Sequence, residues 1–149
     1  MTRDPRGRPR LRPSLYRPLT VLDSREDYRR HYEQTYCSSP VTTFDDIRVF
    51  FFPEAFDHAF FGGPGKQHFS LSRAQRIDWI GEVLRDSDAA IFVGWDNKRK
   101  RHDRSRRVAV VEGDYVVVIR FRSRGASFVT AFVADPHVGP IIRTCSLSW

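Results

Sequence analysis

The sequence predicts an α+β domain, with N-terminal helices packed on a four-stranded antiparallel β-meander. Three observations predict it. Apolar residues at helical spacing are confined to the region before residue 88. From residue 89 onward, short β-branched and aromatic runs alternate with turn signals. The chain has 149 residues, 40% of them hydrophobic and 12 of them Phe, which suits one core rather than two and a folded chain rather than a disordered one.

In chain order, residues 1–20 form a basic Pro/Arg arm. Its first 18 residues hold six arginines and four prolines, a composition that cannot build a core, so the arm is expected to be disordered. No apolar stretch follows it, so it does not read as a secretory signal. Residues 21–149 form a single domain. Asp23 and Ser24 are cap residues, and Tyr28, Tyr32 and Tyr36 recur every four residues as one aromatic helical face, better suited to packing than to stacking on bases. Residues 42–46 are a polar connection. Ile47–Phe52 reads as a buried strand ended by Pro53. A short helix follows, with Phe56, Ala59 and Phe60 on one face and His58 off it, and Gly62, Gly63, Pro64 and Gly65 end it. A long helix runs from the Ser70/Ser72 region to about residue 86. Ser72 with Gln75 fits a capping box, Ser70 is a second possible cap, and Ile77, Ile80 and Leu84 make the buried face. Four strands follow: 89–95, 107–112, 115–122 and 127–134. Between the first two lies a basic turn, 96–106, and Gly113-Asp114 is a hairpin signal.

The net charge of +7 is unevenly spread. Residues 1–18 carry +5 and residues 98–107 carry +6, leaving −4 for the rest. A basic arm and a basic loop on a mildly acidic body point to a polyanionic partner reached at two places. The two cysteines, Cys37 and Cys145, are too few for a disulfide framework and suit free thiols in the cytoplasm. No Cys-x-x-Cys or His-Glu-x-x-His pattern occurs, so no metal or other cofactor is expected. No apolar run approaches the roughly 18 residues that span a bilayer, so no membrane partner is expected.

The order strand, short helix, long helix and four strands resembles the barnase–EndoU–colicin–RelE group of small nucleases, and its phage-associated branch in particular. The resemblance is carried by Phe56-Asp-His58-Ala-Phe60, by Phe69, by Arg73-Ala-x-Arg76-Ile77-x-Trp79-Ile80, by Leu84 and by Phe128-Val-Thr130-Ala. It covers about residues 40–135. It implies a barnase/RelE-like fold and metal-independent RNA cleavage on the sheet face, in a protein that acts as a toxin with RNA as substrate and an antitoxin or immunity protein as partner.

Such cleavage needs a base for the 2′-OH, an acid for the departing 5′-oxygen, and cations for the charge gathering on the phosphoryl oxygens. Histidine suits the proton transfers and arginine the phosphate. On this reasoning the catalytic candidates are His58, Arg73, Arg76, His68 and Thr130. His58 could equally be a core-edge histidine, and Arg73 and Arg76 could be tied up in surface salt bridges with Asp78 or Glu82. Lys66, Lys98, Lys100, Arg101, Arg104, Arg120 and Arg122 are candidates for substrate binding. His31, His102 and His137 read as structural or solvated. Two other readings use the same residues: a non-catalytic nucleic-acid-binding module working through the arm and the 98–107 loop, and a phage-associated structural or interaction protein.

Overall fold

The computed structural model describes residues 16–63, 65, 67–96, 98–111 and 115–134. It is an α+β fold on a mixed six-stranded sheet. The helical elements are α1 (Arg25–Tyr32), α2 (Ala55–Phe60), α3 (Leu71–Gln75) and α4 (Trp79–Arg85). The strands are β1 (Val41–Thr42), β2 (Arg48–Phe50), β3 (Phe61–Gly62), β4 (His68–Phe69), β5 (Ala90–Asp96), β6 (Arg101–Val111), β7 (Tyr115–Phe121) and β8 (Ala126–Val133). The main sheet has the order β1-β2-β8-β7-β6-β5, and β3 and β4 form a separate ribbon.

The expected meander is present as β5 to β8, all antiparallel. The sheet is larger than four strands because β2 joins β8 in parallel, with Val49 beside Ala126 and Phe50 beside Ser127, and β1 then pairs with β2. Parallel pairing requires a long crossover, and the whole of α2–β7 supplies it.

Strand alternation divides the side chains between two faces. One face carries Tyr115, Val117, Ile119, Ala126, Phe128 and Ala131 into the main core, against Phe56, Ala59, Phe60, Ile80 and Leu84 of the helices and Ile77 between α3 and α4. On the other face lies a second cluster of Val110, Val116 and Ala134 with Phe92, Val108, Val118 and Phe132. The three tyrosines of the aromatic face are buried. Tyr32 is central, with its ring 5.7 Å from Phe56 and 6.0 Å from Phe60. α1 is capped by Ser24, which accepts from the Asp27 amide, and it runs into a π-helical turn, Glu33–Cys37. Cys37 is a free thiol, and burial pushes its pKa up. Cys145 lies outside the described residues.

Four expectations are corrected. The long helix is two, α3 and α4, separated by a tight turn in which the amides of Arg76, Ile77 and Trp79 bond three residues back. The cap is Ser70, whose hydroxyl accepts from the Arg73 amide, while the Ser72 hydroxyl accepts from Arg76. The stretch 101–106 is strand rather than turn. β5 and β6 pair out to Asp96 and Arg101, and Trp95 stands edge-on to His102 at 5.1 Å. The register shifts after Val93, which pairs with Arg107, whereas Gly94 pairs with Asp103. A Cβ at Gly94 would lie 2.4 Å from that of Arg106, so glycine is required where the extra residues of β6 bulge.

The fourth correction concerns residues 16–20, which composition assigns to the arm. They strap the α3–α4 region instead. The Thr20 amide bonds the Gln75 carbonyl at 2.8 Å, the Thr20 hydroxyl bonds Asp78 at 2.7 Å, and Trp79 Nε1 donates to the Arg17 carbonyl at 2.8 Å. Tyr16 is buried against Trp79 and donates to Asp86. The rest of the arm, the Gly113-Asp114 signal, His137 and the C-terminal segment lie outside the described residues.

Candidate active site

α2 buries Phe56, Ala59 and Phe60 and leaves His58 exposed, as a six-residue amphipathic helix must. The chain then turns directly into the β3–β4 ribbon, in which Phe61 pairs with Phe69 and Gly62 with His68. The exposed imidazole of His68 folds onto Gly63, where a Cβ would sit 2.7 Å from His68 Cδ2 and where φ is +77°. The positive φ favours glycine there.

Arg73 reaches the same ribbon from α3. Its Nη1 donates to the Ala59 carbonyl at 3.1 Å and to the Phe61 carbonyl at 3.3 Å, satisfying acceptors that the end of α2 leaves open. Nη2 would lie 3.7 Å from a Cβ at Gly62, the glycine that pairs with His68. Its guanidinium carbon is 5.6 Å from the centre of the Phe132 ring. Burial lowers the Arg73 pKa, with the nearby Tyr115 acting in the opposite direction; a guanidinium starts so high that it stays cationic at neutral pH. Among the described residues no hydrogen bond uses Nε or Nη2 of Arg73, so half of its fork is available.

Thr130 pairs with Val118 on β7, and Phe132 with Val116. Thr130 and Phe132 therefore share the face of β8 that carries the second cluster. The Arg73 guanidinium meets that face through Phe132. His68 and Arg73 thus meet at Gly62 and Gly63, at the end of α2, while His58 stands on the exposed side of α2 and Thr130 on the face of β8 turned away from the main core.

Arg76 is not part of this group. It bonds the Ser72 carbonyl at 2.8 Å and the Ser72 hydroxyl at 3.0 Å, and lies over the Trp79 ring at 5.3 Å. Neither arginine pairs with Asp78 or Glu82. Asp78 holds His31 at 2.8 Å, and Glu82 holds Arg17 at 3.3 Å. His31 is therefore tied by its imidazole to Asp78, at the start of α4.

The expected binding residues fall in two other places. Lys98, Lys100, Arg101 and Arg104 are exposed on the β5–β6 hairpin, beside Trp95, which is 48% exposed. Arg120 stands in a cross-strand row, Arg106–Arg120–Ser127, in which Arg122 Nε bonds the Ser127 hydroxyl at 3.1 Å. Lys66 lies outside the described residues.

Two features escape sequence reasoning. Charge counting assigns Arg107 to the basic loop, but it is buried and makes a bidentate pair with Asp45 at 2.6 and 3.1 Å. Arg48, Phe50 and Arg124 line a groove of about 550 Å³ with Arg122. The signal for Arg48 is its alternation with buried Val49, obscured by the apolar run that follows. Among the described residues no three His, Cys, Asp or Glu side chains are grouped to hold a metal ion, and no helix is long and apolar enough to cross a membrane.

Comparison with protein-family models, with curated proteins and with solved structures gives no match to this chain.

Proposed function

We propose that the protein is a metal-independent endoribonuclease of barnase/RelE-like design, acting in the cytoplasm as a toxin. The observation that carries this reading is the convergence of His68 and Arg73 on Gly62, at the end of the helix that bears His58. An exposed imidazole and a guanidinium with open donors, at the end of the helix that carries a second exposed imidazole, supply the groups that transesterification of RNA needs.

In the reaction, one histidine takes the 2′-OH proton. The 2′-oxygen forms a bond to the adjacent phosphorus, and the bond from phosphorus to the 5′-oxygen breaks. The other histidine gives that oxygen its proton, leaving a 2′,3′-cyclic phosphate and a 5′-hydroxyl. Arg73 faces the charge on the phosphoryl oxygens through Nη2 and Nε, and the Thr130 hydroxyl is the further donor on that side.

Purified protein should cut RNA in the presence of EDTA and leave cyclic or 3′-phosphate ends, and His58→Ala should lose that activity while keeping its circular dichroism. Expression of the parent should arrest bacterial growth, with an antitoxin as the expected partner, and His58→Ala should not. Absence of cleavage with every RNA tried would overturn the reading. A second reading, a non-catalytic nucleic-acid-binding module, is favoured by the β5–β6 hairpin, whose cations stand clear of the histidines at α2 and the β3–β4 ribbon.

A further inference from the structure

The groove at the β2 end of the sheet is lined by none of the residues assigned above to cleavage. It is bounded by Asp46, Arg48, Phe50, Arg122, Arg124 and Gly125. Its volume of about 550 Å³ falls within the range of about 300–1,000 Å³ typical of sites for small organic groups. Three arginines face one carboxylate, all four are exposed, and among the described residues none of the four has an ion pair. Charge left unneutralised around a concave surface attracts anions.

An aromatic ring stands among these cations. Val49 is buried in the main core, so Arg48 and Phe50 on either side of it turn to the opposite face. Phe50 is 37% exposed and pairs with Ser127, whose hydroxyl accepts from Arg122 Nε at 3.1 Å. The ring and the Arg122 guanidinium are therefore neighbours across one serine.

The backbone fixes this arrangement. Gly125 has φ +75°, and a Cβ there would be 2.4 Å from the Arg48 carbonyl oxygen and 3.5 Å from Phe50 Cε2. The β7–β8 turn thus presses on β2 with no side chain between them. Asp46 at the other end has φ 64°, which turns it back toward the strand as Asp and Asn tolerate.

We propose that this groove binds a short segment of single-stranded nucleic acid, with a base stacked on Phe50 and the flanking phosphates on Arg48, Arg122 and Arg124. Fixed cations beside an exposed ring are the combination that single strands recognise, because every base has a π-face and every linkage a phosphate. A duplex keeps its bases stacked on one another and cannot offer one to Phe50. The Asp46 carboxylate accepts from an exocyclic amine of the stacked base, which favours C, A or G over U or T. The inference goes beyond cleavage and stands whether or not the chain cuts RNA.

The test is fluorescence anisotropy with oligonucleotides the protein cannot cut by 2′-oxygen attack: a 2′-O-methyl RNA and a single-stranded DNA of mixed sequence. Phe50→Leu should weaken binding of at least one of them about tenfold. Replacing Arg48, Arg122 and Arg124 together with Gln should weaken it further and flatten the log–log salt dependence by roughly two, at about 0.7 for each phosphate no longer neutralised. A hairpin variant with Lys98, Arg99, Lys100 and Arg101 changed to Gln should lower affinity but keep the tenfold effect of Phe50→Leu. Binding by the folded triple variant equal to the parent's would overturn the proposal. Equal binding of duplex and single strand, or displacement by polyglutamate at equal charge, would overturn it too, since the groove would then read charge alone.

Discussion

The hydroxyl of Tyr36 sits in the hydrogen-bond ladder of the α3–α4 region, accepting from the Gly81 amide at 3.1 Å. It donates in turn to the Ile77 carbonyl at 2.6 Å. Those two backbone groups, four residues apart, would bond each other in a continuous helix. The inserted hydroxyl helps explain why the segment bends into two short helices, since insertion into the ladder is a recognised cause of kinks. Tyr36 is only 3% exposed, and burial pushes its pKa far up, so the phenol stays protonated and able to donate. Tyr36→Phe takes this partner from the buried Gly81 amide and leaves the Ile77 carbonyl only the long bond from the Ile80 amide at 3.4 Å. It should cost about 2 kcal/mol, the desolvation penalty of an unmet buried amide. Urea unfolding measures it. A loss below about 0.5 kcal/mol would mean that the ladder closes directly once the hydroxyl is gone.

Arg107 and Asp45, 62 residues apart, join β6 to the β1–β2 connection. Arg107 is 2% exposed and lies between the rings of Phe44 and Phe121, at 5.4 and 5.8 Å. Burying a guanidinium is tolerable only with its partner in place. Asp45→Ala should therefore destabilise by about 3 kcal/mol, because the buried guanidinium loses its bidentate carboxylate. Arg107→Met with Asp45→Ala should recover part of that loss, because nothing charged is then left inside. A double variant no better than Asp45→Ala would count against burial as the source of the cost.

The same carboxylate sets an acid limit. Burial works against ionised Asp45, but the hydrogen bonds from Arg107 and Thr43 and the Arg107 charge outweigh it, so its pKa is lowered. Asp78 is lowered likewise, burial again opposing and the hydrogen bonds from His31 and Thr20 prevailing. A folded-state pKa below the unfolded value means that the unfolded chain binds the proton more readily. The stabilisation is therefore complete above the unfolded carboxylate value of about 3.9 and is lost as pH falls through the lowered ones. Thermal midpoints should drop steeply below about pH 4. Asp45→Asn with Asp78→Asn should start lower and fall less steeply. A parental slope in that variant would show that other carboxylates control acid unfolding.

What the sequence made legible was local. The β-branched and aromatic runs between turn signals mark β7 and β8 almost to the residue, because strand preference is written in the strand itself. The six-stranded sheet is hidden because nothing in Ile47–Phe52 names β8 as its parallel neighbour. The break after Gln75 is hidden because it involves a hydroxyl from Tyr36, on another element. Charge counting puts Arg107 on the loop, since the carboxylate that lets it be buried lies far away in sequence. The glycines after α2 are visible as a helix end. Their further use, giving room to His68 and Arg73, requires the β3–β4 pairing.

Arg73 carries two duties that a mutant series can separate. Its Nη1 satisfies the Ala59 and Phe61 carbonyls, and the rest of its fork is the proposed phosphate ligand. Arg73→Gln should lose about 1–2 kcal/mol of stability from the hydrogen bonds. It should also cut the rate of RNA cleavage by roughly 10²–10³, the usual consequence of removing a donor to developing charge. His68→Ala should behave differently. His68 is exposed on the ribbon and rests on Gly63, so its loss should change stability by less than about 0.5 kcal/mol while depressing cleavage. Paired urea melts and single-turnover cleavage rates distinguish the two. If Arg73→Gln loses stability but cuts RNA at the parent's rate, the arginine is a helix cap alone and the phosphate must be held elsewhere.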